Sequence, residues 1–175
     1  MGLMMPAASK VKNLAQSLSC KSNLRQLSIA FHGYVGDNNN TMPLVILMPS
    51  LGINEDPSYK RLCDILGTYV GSSNSKVFKC PADQGPHSYG VATEITDEDG
   101  NSSTSTNSSG SSASSDYSKE GSSYEFNEML CGRKMKLLAW AMVMHDYRTY
   151  HGLPGTKGAC NYVFEDGHVG DLNGR

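Results

Sequence analysis

The chain has 175 residues, a formal net charge of -2 and only 18% charged side chains. That length suits a single domain with its own core, and the near-neutral balance excludes an electrostatic claim on nucleic acid or anionic lipid. No apolar run reaches the roughly eighteen residues of a membrane span, no secretory leader is present, and the Gly-, Ser- and Asn-rich surface suits an exported, loop-rich protein.

From Leu3 to about Val35 apolar residues recur at three- and four-residue steps, with Pro6 at the start and no Gly until Gly33. This predicts a long helix over about 6–35. At 100° per residue, Leu3, Met4, Ala7, Val11, Leu14 and Leu18 fall in one arc, whereas Cys20, Leu24, Leu27, Phe31 and Tyr34 fall nearly opposite. A helix serving one core keeps one stripe. Either the element breaks near Ser17–Ser22 into two core helices, or its first half packs on something outside the domain. Met1-Gly2 directly before Leu3-Met4-Met5-Pro6 reads as a start joined to the tail of an apolar segment, so a membrane span is expected upstream.

Gly36-Asp37-Asn38-Asn39-Asn40 is a strong helix stop. Met42–Met48 is apolar with Pro43 and Pro49 at its ends, an extended buried connection. Asp56-Pro57 opens a second short helix predicted over Pro57–Val70 and closed by Gly71. Lys76–Pro81 reads as a short strand. About 96–123 is dominated by Ser, Thr, Asn and Gly and predicts a mobile surface loop. Strands are expected at Ser123–Asn127 and Leu137–Met144, then a hairpin over about 159–172 turning at Asp166-Gly167. Helices followed by antiparallel strands make an α+β domain covering 1–175.

The segments NLRQLSIAFHGYVGDNNNTMP (23–43), VFKCPAD (77–83), SSYEFN (122–127) and GACNYVFEDGHVG (158–170) occur in that order. Together they resemble prepilin-type, pseudopilin-like proteins with a class III signal sequence, the group named for a His, nine residues, then Asp-Gly, and they are similar to the major pseudopilin of type II secretion. On this chain the motif residues are His151, Asp166, Gly167 and His168; fourteen residues separate His151 from Asp166, so the Gly152–Gly158 loop carries an insertion. The resemblance implies a pilin-like fold and a non-enzymatic subunit of a type II secretion or type IV pilus-like filament. It implies N-terminal processing and methylation, an inner-membrane anchor, and a domain facing the periplasm or cell exterior. Its partners are then other copies and other pilin-like subunits, with no nucleic acid. The helix face Leu3, Met4, Ala7, Val11, Leu14 and Leu18 becomes the assembly surface.

No enzyme signature stands beside this reading. There is no G-x-S-x-G, no HExxH and no phosphate-cradling glycine loop. Asp97-Glu98-Asp99-Gly100-Asn101 lacks the calcium-loop pattern. No cofactor is expected; the metal that best suits the C-terminal hairpin is calcium, on carboxylates from Asp166, Asp171 and Asp146. A zinc hydrolase would need His151 and His168 in one site. The alternative of another class is a secreted ligand- or glycan-binding module with a calcium-supported hairpin. Among Cys20, Cys63, Cys80, Cys131 and Cys160 no C-x-x-C pair occurs. Buried thiols and partial bridging stay open, with Cys131–Cys160 the candidate bridge because both flank expected strands.

Overall fold

The computed structural model describes residues 5–47, 49, 56–83 and 120–171, with side chains of the first helix from Lys10 onward. Leu3, Met4, the Ala7 side chain and most of the Ser-rich loop lie outside the described residues.

The first helix, α1, is continuous over Met5–Asp37, 33 residues and about 50 Å long. It does not break near Ser17–Ser22. Its second half buries Cys20, Leu24, Leu27, Phe31 and Val35, spaced four, three, four and four residues apart, each no more than 2% exposed. The described start of its first half is exposed at every position from Lys10 to Ala15, and Gln16 then reaches the domain, its Nε2 donating to Pro81 O. The helix stops where Gly36–Asn40 predicts. Asn38 and Asn40 donate backbone N–H groups to Val35 O, and Asn39 and Asn40 take left-handed conformations that Asn tolerates.

After the stop, Met42 and Val45 are buried in the extended connection, which is tied by Met42 N–H to Arg133 O and by Ile46 N–H to Lys60 O. The second helix, α2, spans Leu62–Val70 and not Pro57–Val70. Asp56 spends its carboxylate on a single turn, accepting from Ser58 N and Oγ, and Lys60 is then drawn into a parallel bridge with Val45. Helix formation therefore restarts beyond Arg61. Gly71, at φ 95°, ends it. The predicted strand at Lys76–Pro81 is instead a 3-10 turn over Lys76–Phe78, started by Ser75 Oγ accepting from Val77 N–H. It delivers the fully buried Phe78 to the core.

Four short strands follow: β1 (Tyr124–Phe126), β2 (Met142–Asp146), β3 (Tyr162–Phe164) and β4 (Val169–Gly170). They form one antiparallel sheet in chain order. The apolar run Leu137–Met144 yields strand only from Met142. Leu137 adopts φ 57° and is solvent-exposed, Leu138 N–H is taken by Glu165 Oε2, and Trp140 remains 64% exposed. The Asp166-Gly167 hairpin forms as predicted, with Gly167 at φ 87° and Phe164 N–H donating to His168 O.

The second half of α1 lies across α2, the 3-10 turn, β3 and β4. Phe31 meets Phe126 at 6.0 Å between ring centroids, and His32 Nε2 lies 2.9 Å from Glu165 O. A long N-terminal helix, a short second helix and a small antiparallel sheet thus make the α+β domain.

Candidate functional site

Three features lie outside ordinary core packing. One is the exposed stretch in the first half of α1, Lys10 to Ala15, with Leu18 beyond it. Val11, Leu14 and Leu18 are 67%, 62% and 59% exposed. Cys20 lies nine positions after Val11, half a turn around the axis at 100° per residue. The apolar stripe of the first half therefore faces away from the one that holds the domain, as the face switch predicts.

Another is a buried polar cluster around a disulfide joining Cys20 of α1 to Cys80, sixty residues apart in sequence. This replaces the expected Cys131–Cys160 bridge; both of those thiols are free. The register shows why. Cys131 follows β1 at the sheet end where Phe126 faces Met144 and Met142 faces Phe164, whereas Cys160 precedes β3 at the end where Tyr124 faces Asp146 and Tyr162 faces His145. Neighbouring contacts hold the disulfide segment against the helix: Gln16 Nε2 donates to Pro81 O and Asn23 Nδ2 to Lys79 O.

His151, in the loop after β2, brings Nε2 to 3.6 Å from Cys80 Sγ and 3.5 Å from Asp146 Oδ2. Both the His151 and Asp146 side chains are almost fully enclosed, at 2% and 0% exposed. Asp146 Oδ2 accepts from both the backbone N–H and the Nδ2 of Asn161, each at 2.8 Å. Burial pushes the Asp146 carboxyl up to about 7 despite those bonds, and burial with the nearby Lys21 charge pushes His151 down to about 4. Near pH 6 the contact is therefore between a neutral imidazole and a neutral carboxyl, not an ion pair. Asp146 Oδ1, His151 Nδ1 and Asn161 Oδ1 are buried without a hydrogen-bond partner. Three such atoms in one cluster are unusual, because each costs on the order of 1–3 kcal/mol.

The residues proposed from sequence for calcium, Asp166, Asp171 and Asp146, are not brought together. Asp146 is spent on Asn161 at one end of β3, while Asp166 sits in the turn at its other end, where Oδ1 takes the His168 N–H and ring Nδ1. The single group of three metal-type ligand atoms among the described residues is Cys20, Cys80 and His151. The family-motif residues are split likewise. His151 is buried beside the disulfide, whereas Asp166, Gly167 and His168 form the hairpin turn, with His168 stacked on Phe164. A site holding both His151 and His168 is not formed.

A third feature is a groove of ≈ 580 Å³ lined by Met129, Lys134, Lys136, Trp140, Met142 and Glu165, among others. Sequence reasoning missed the Cys20–Cys80–His151–Asp146 cluster altogether. Its signal was faint: Cys20 falls on the buried stripe, and Cys80 lies beside Pro81 just before a turn. No helix among the described residues is long and apolar enough to cross a membrane. Comparison with family models, curated proteins and solved structures finds no match to this chain.

Proposed function

We propose that the chain is a non-enzymatic, pilin- or pseudopilin-like subunit of a type II secretion or type IV pilus-like filament. The observation that carries this reading is the first half of α1, exposed on all sides from Lys10 to Ala15 yet bearing the apolar stripe Val11, Leu14 and Leu18. An apolar stripe on a helix that touches no core is explained by burial against another molecule. In this reading the partner is another subunit, and an upstream span anchors the helix in the inner membrane with the domain in the periplasm or outside the cell. Leu3, Met4 and Ala7 would extend the same face. Replacing Val11 and Leu14 with Asp in the full-length protein is expected to abolish assembly while the circular dichroism spectrum of the domain is unchanged. Filaments of normal length and number from that double variant reject the reading.

A second reading, a ligand- or glycan-binding module, draws on the groove beside Trp140. An exposed indole next to Lys134, Lys136 and Glu165 suits stacking on a sugar ring with polar groups around it. Calcium support from the hairpin carboxylates has no assembled site here. Quenching or shift of Trp140 fluorescence, from the chain's one tryptophan, during oligosaccharide titration favours this reading. An unchanged spectrum removes it.

A further inference from the structure

We propose that reduction of the Cys20–Cys80 disulfide converts the buried cluster into a closed, structural zinc site with Cys20, Cys80, His151 and Asp146 as ligands. The argument starts from geometry. His151 Nε2 points between Cys80 Sγ at 3.6 Å and Asp146 Oδ2 at 3.5 Å. Neither is a strong hydrogen bond: the contact to sulfur is weak by nature, and 3.5 Å to a carboxylate oxygen is long. A tetrahedral zinc, with Zn–N near 2.0 Å, Zn–S near 2.3 Å and Zn–O near 2.1 Å, sets edges of about 3.5 Å for N···S and about 3.4 Å for N···O. Two of the required edges are thus present before any metal arrives. The ligand atoms of Cys20, Cys80 and His151 all lie within 4.8 Å of one another. Two further changes are required: the sulfurs must part, from a covalent bond to about 3.8 Å, and must close on Asp146, whose carboxylate lies outside the 4.8 Å group, both by rotation of side chains.

The surroundings suit an ion as well. Asp146 is oriented by two N–H donors from Asn161, the kind of support that metal-ligating carboxylates receive. Cys20, Cys80 and Asp146 are each at most 1% exposed, so four protein ligands would close the site to water. Two thiolates and a carboxylate around Zn²⁺ leave one net negative charge, and Lys21 lies close enough to act on both Asp146 and His151.

The chemistry balances with a dithiol as reductant. Its two thiols pass two electrons and two protons to the Cys20–Cys80 bond, giving two protein thiols and an oxidised, cyclic dithiol. Zn²⁺ then displaces the two thiol protons, and any proton on Asp146, into solvent. Re-oxidation expels the metal because neither sulfur of a disulfide is a thiolate.

The test uses the full chain, reduced with a dithiol that is removed anaerobically, and titrated with zinc alone and with cobalt alone. One equivalent of zinc is expected to bind the reduced chain and none the disulfide form. Cobalt is expected to give thiolate charge-transfer and tetrahedral visible bands. H151Q, which leaves the disulfide able to form, is expected to weaken zinc at least tenfold. C63S/C131S/C160S is expected to bind as the parent does. Less than one-tenth of an equivalent bound by the reduced chain overturns the proposal. So does undiminished binding by H151Q, or a reduced chain that unfolds and is not refolded by zinc.

Discussion

Replacing both bonded cysteines, C20A/C80A, removes a cross-link that closes a loop of sixty residues between α1 and the segment after the 3-10 turn. In the chain-entropy treatment such a loop restricts the unfolded state by about 14 cal/mol/K, or about 4 kcal/mol at 25 °C. The folded state should persist, because Leu24, Leu27, Phe31 and Val35 still hold α1 on the domain and each buried chain of that size contributes roughly 1.5–3 kcal/mol. The assay is urea unfolding of the parent and the variant without reductant, followed by far-ultraviolet circular dichroism. With a slope of about 2 kcal/mol/M for a small domain, the midpoint should fall by about 2 M. The slope itself should rise, since an unfolded chain free of the cross-link exposes more surface. The starting spectrum should be unchanged. A midpoint shift below about 0.5 M, or a variant that has already lost helix before urea is added, refutes the reasoning.

The titrations of Asp146 and His151 oppose each other in the disulfide form held with a chelator. Asp146, raised from 3.8 to about 7, contributes stability that is full below pH 4 and lost as pH rises to 7. His151, lowered from 6.5 to about 4, contributes stability present above pH 6.5 and lost as pH falls to 4. Stability should therefore be nearly flat between pH 4 and 6.5, whereas in D146N it should climb over that window and in H151Q it should fall, each with a slope approaching about 1.4 kcal/mol per pH unit. Parallel profiles for all three proteins in urea titrations would contradict the assignment. G67A should lose roughly 1–3 kcal/mol by thermal unfolding, because a Cβ there would sit 2.6 Å from Ser73 N and 2.8 Å from its Cα; an unchanged melting temperature counts against the close approach of α2 to Ser73. Five cysteines with one bridge leave three thiols. Burial pushes the Cys160 thiol up to about 11 and raises those of Cys63 and Cys131, so an aromatic disulfide reagent at pH 8 should label all three slowly until denaturant is added. Prompt labelling of the buried Cys63 in buffer would contradict its enclosure.

Much of the architecture is legible along the chain because it depends on local chemistry. The length of α1 and its stop at Asn38–Asn40 follow from periodicity and from residues that tolerate left-handed backbone. The β3–β4 hairpin follows from Asp166-Gly167. The two stripes of α1 follow from spacing alone, and the exposure of Val11, Leu14 and Leu18 and the burial of Cys20, Leu24, Leu27 and Phe31 agree with it. Local signals failed where a distant partner competed for the backbone. Asp56-Pro57 looks like a helix start, but Val45 takes Lys60 into a bridge and delays α2 to Leu62. The apolar run from Leu137 looks like strand, but the Glu165 carboxylate captures Leu138 N–H and holds that stretch irregular.

The candidate site divides along the same line. That the first half of α1 offers a second apolar face was determined by the sequence itself, since a helix turns its side chains by a constant angle whatever surrounds it. Which cysteines meet, and that His151 and Asp146 join them, was decided only by the tertiary structure. Cys20 lies on a helix, Cys80 after a 3-10 turn, Asp146 at a strand end and His151 in a loop, and no spacing rule links the four. They converge because the buried stripe of α1 crosses the sheet, and docking that stripe brings Cys20 to the place where the other three are already gathered.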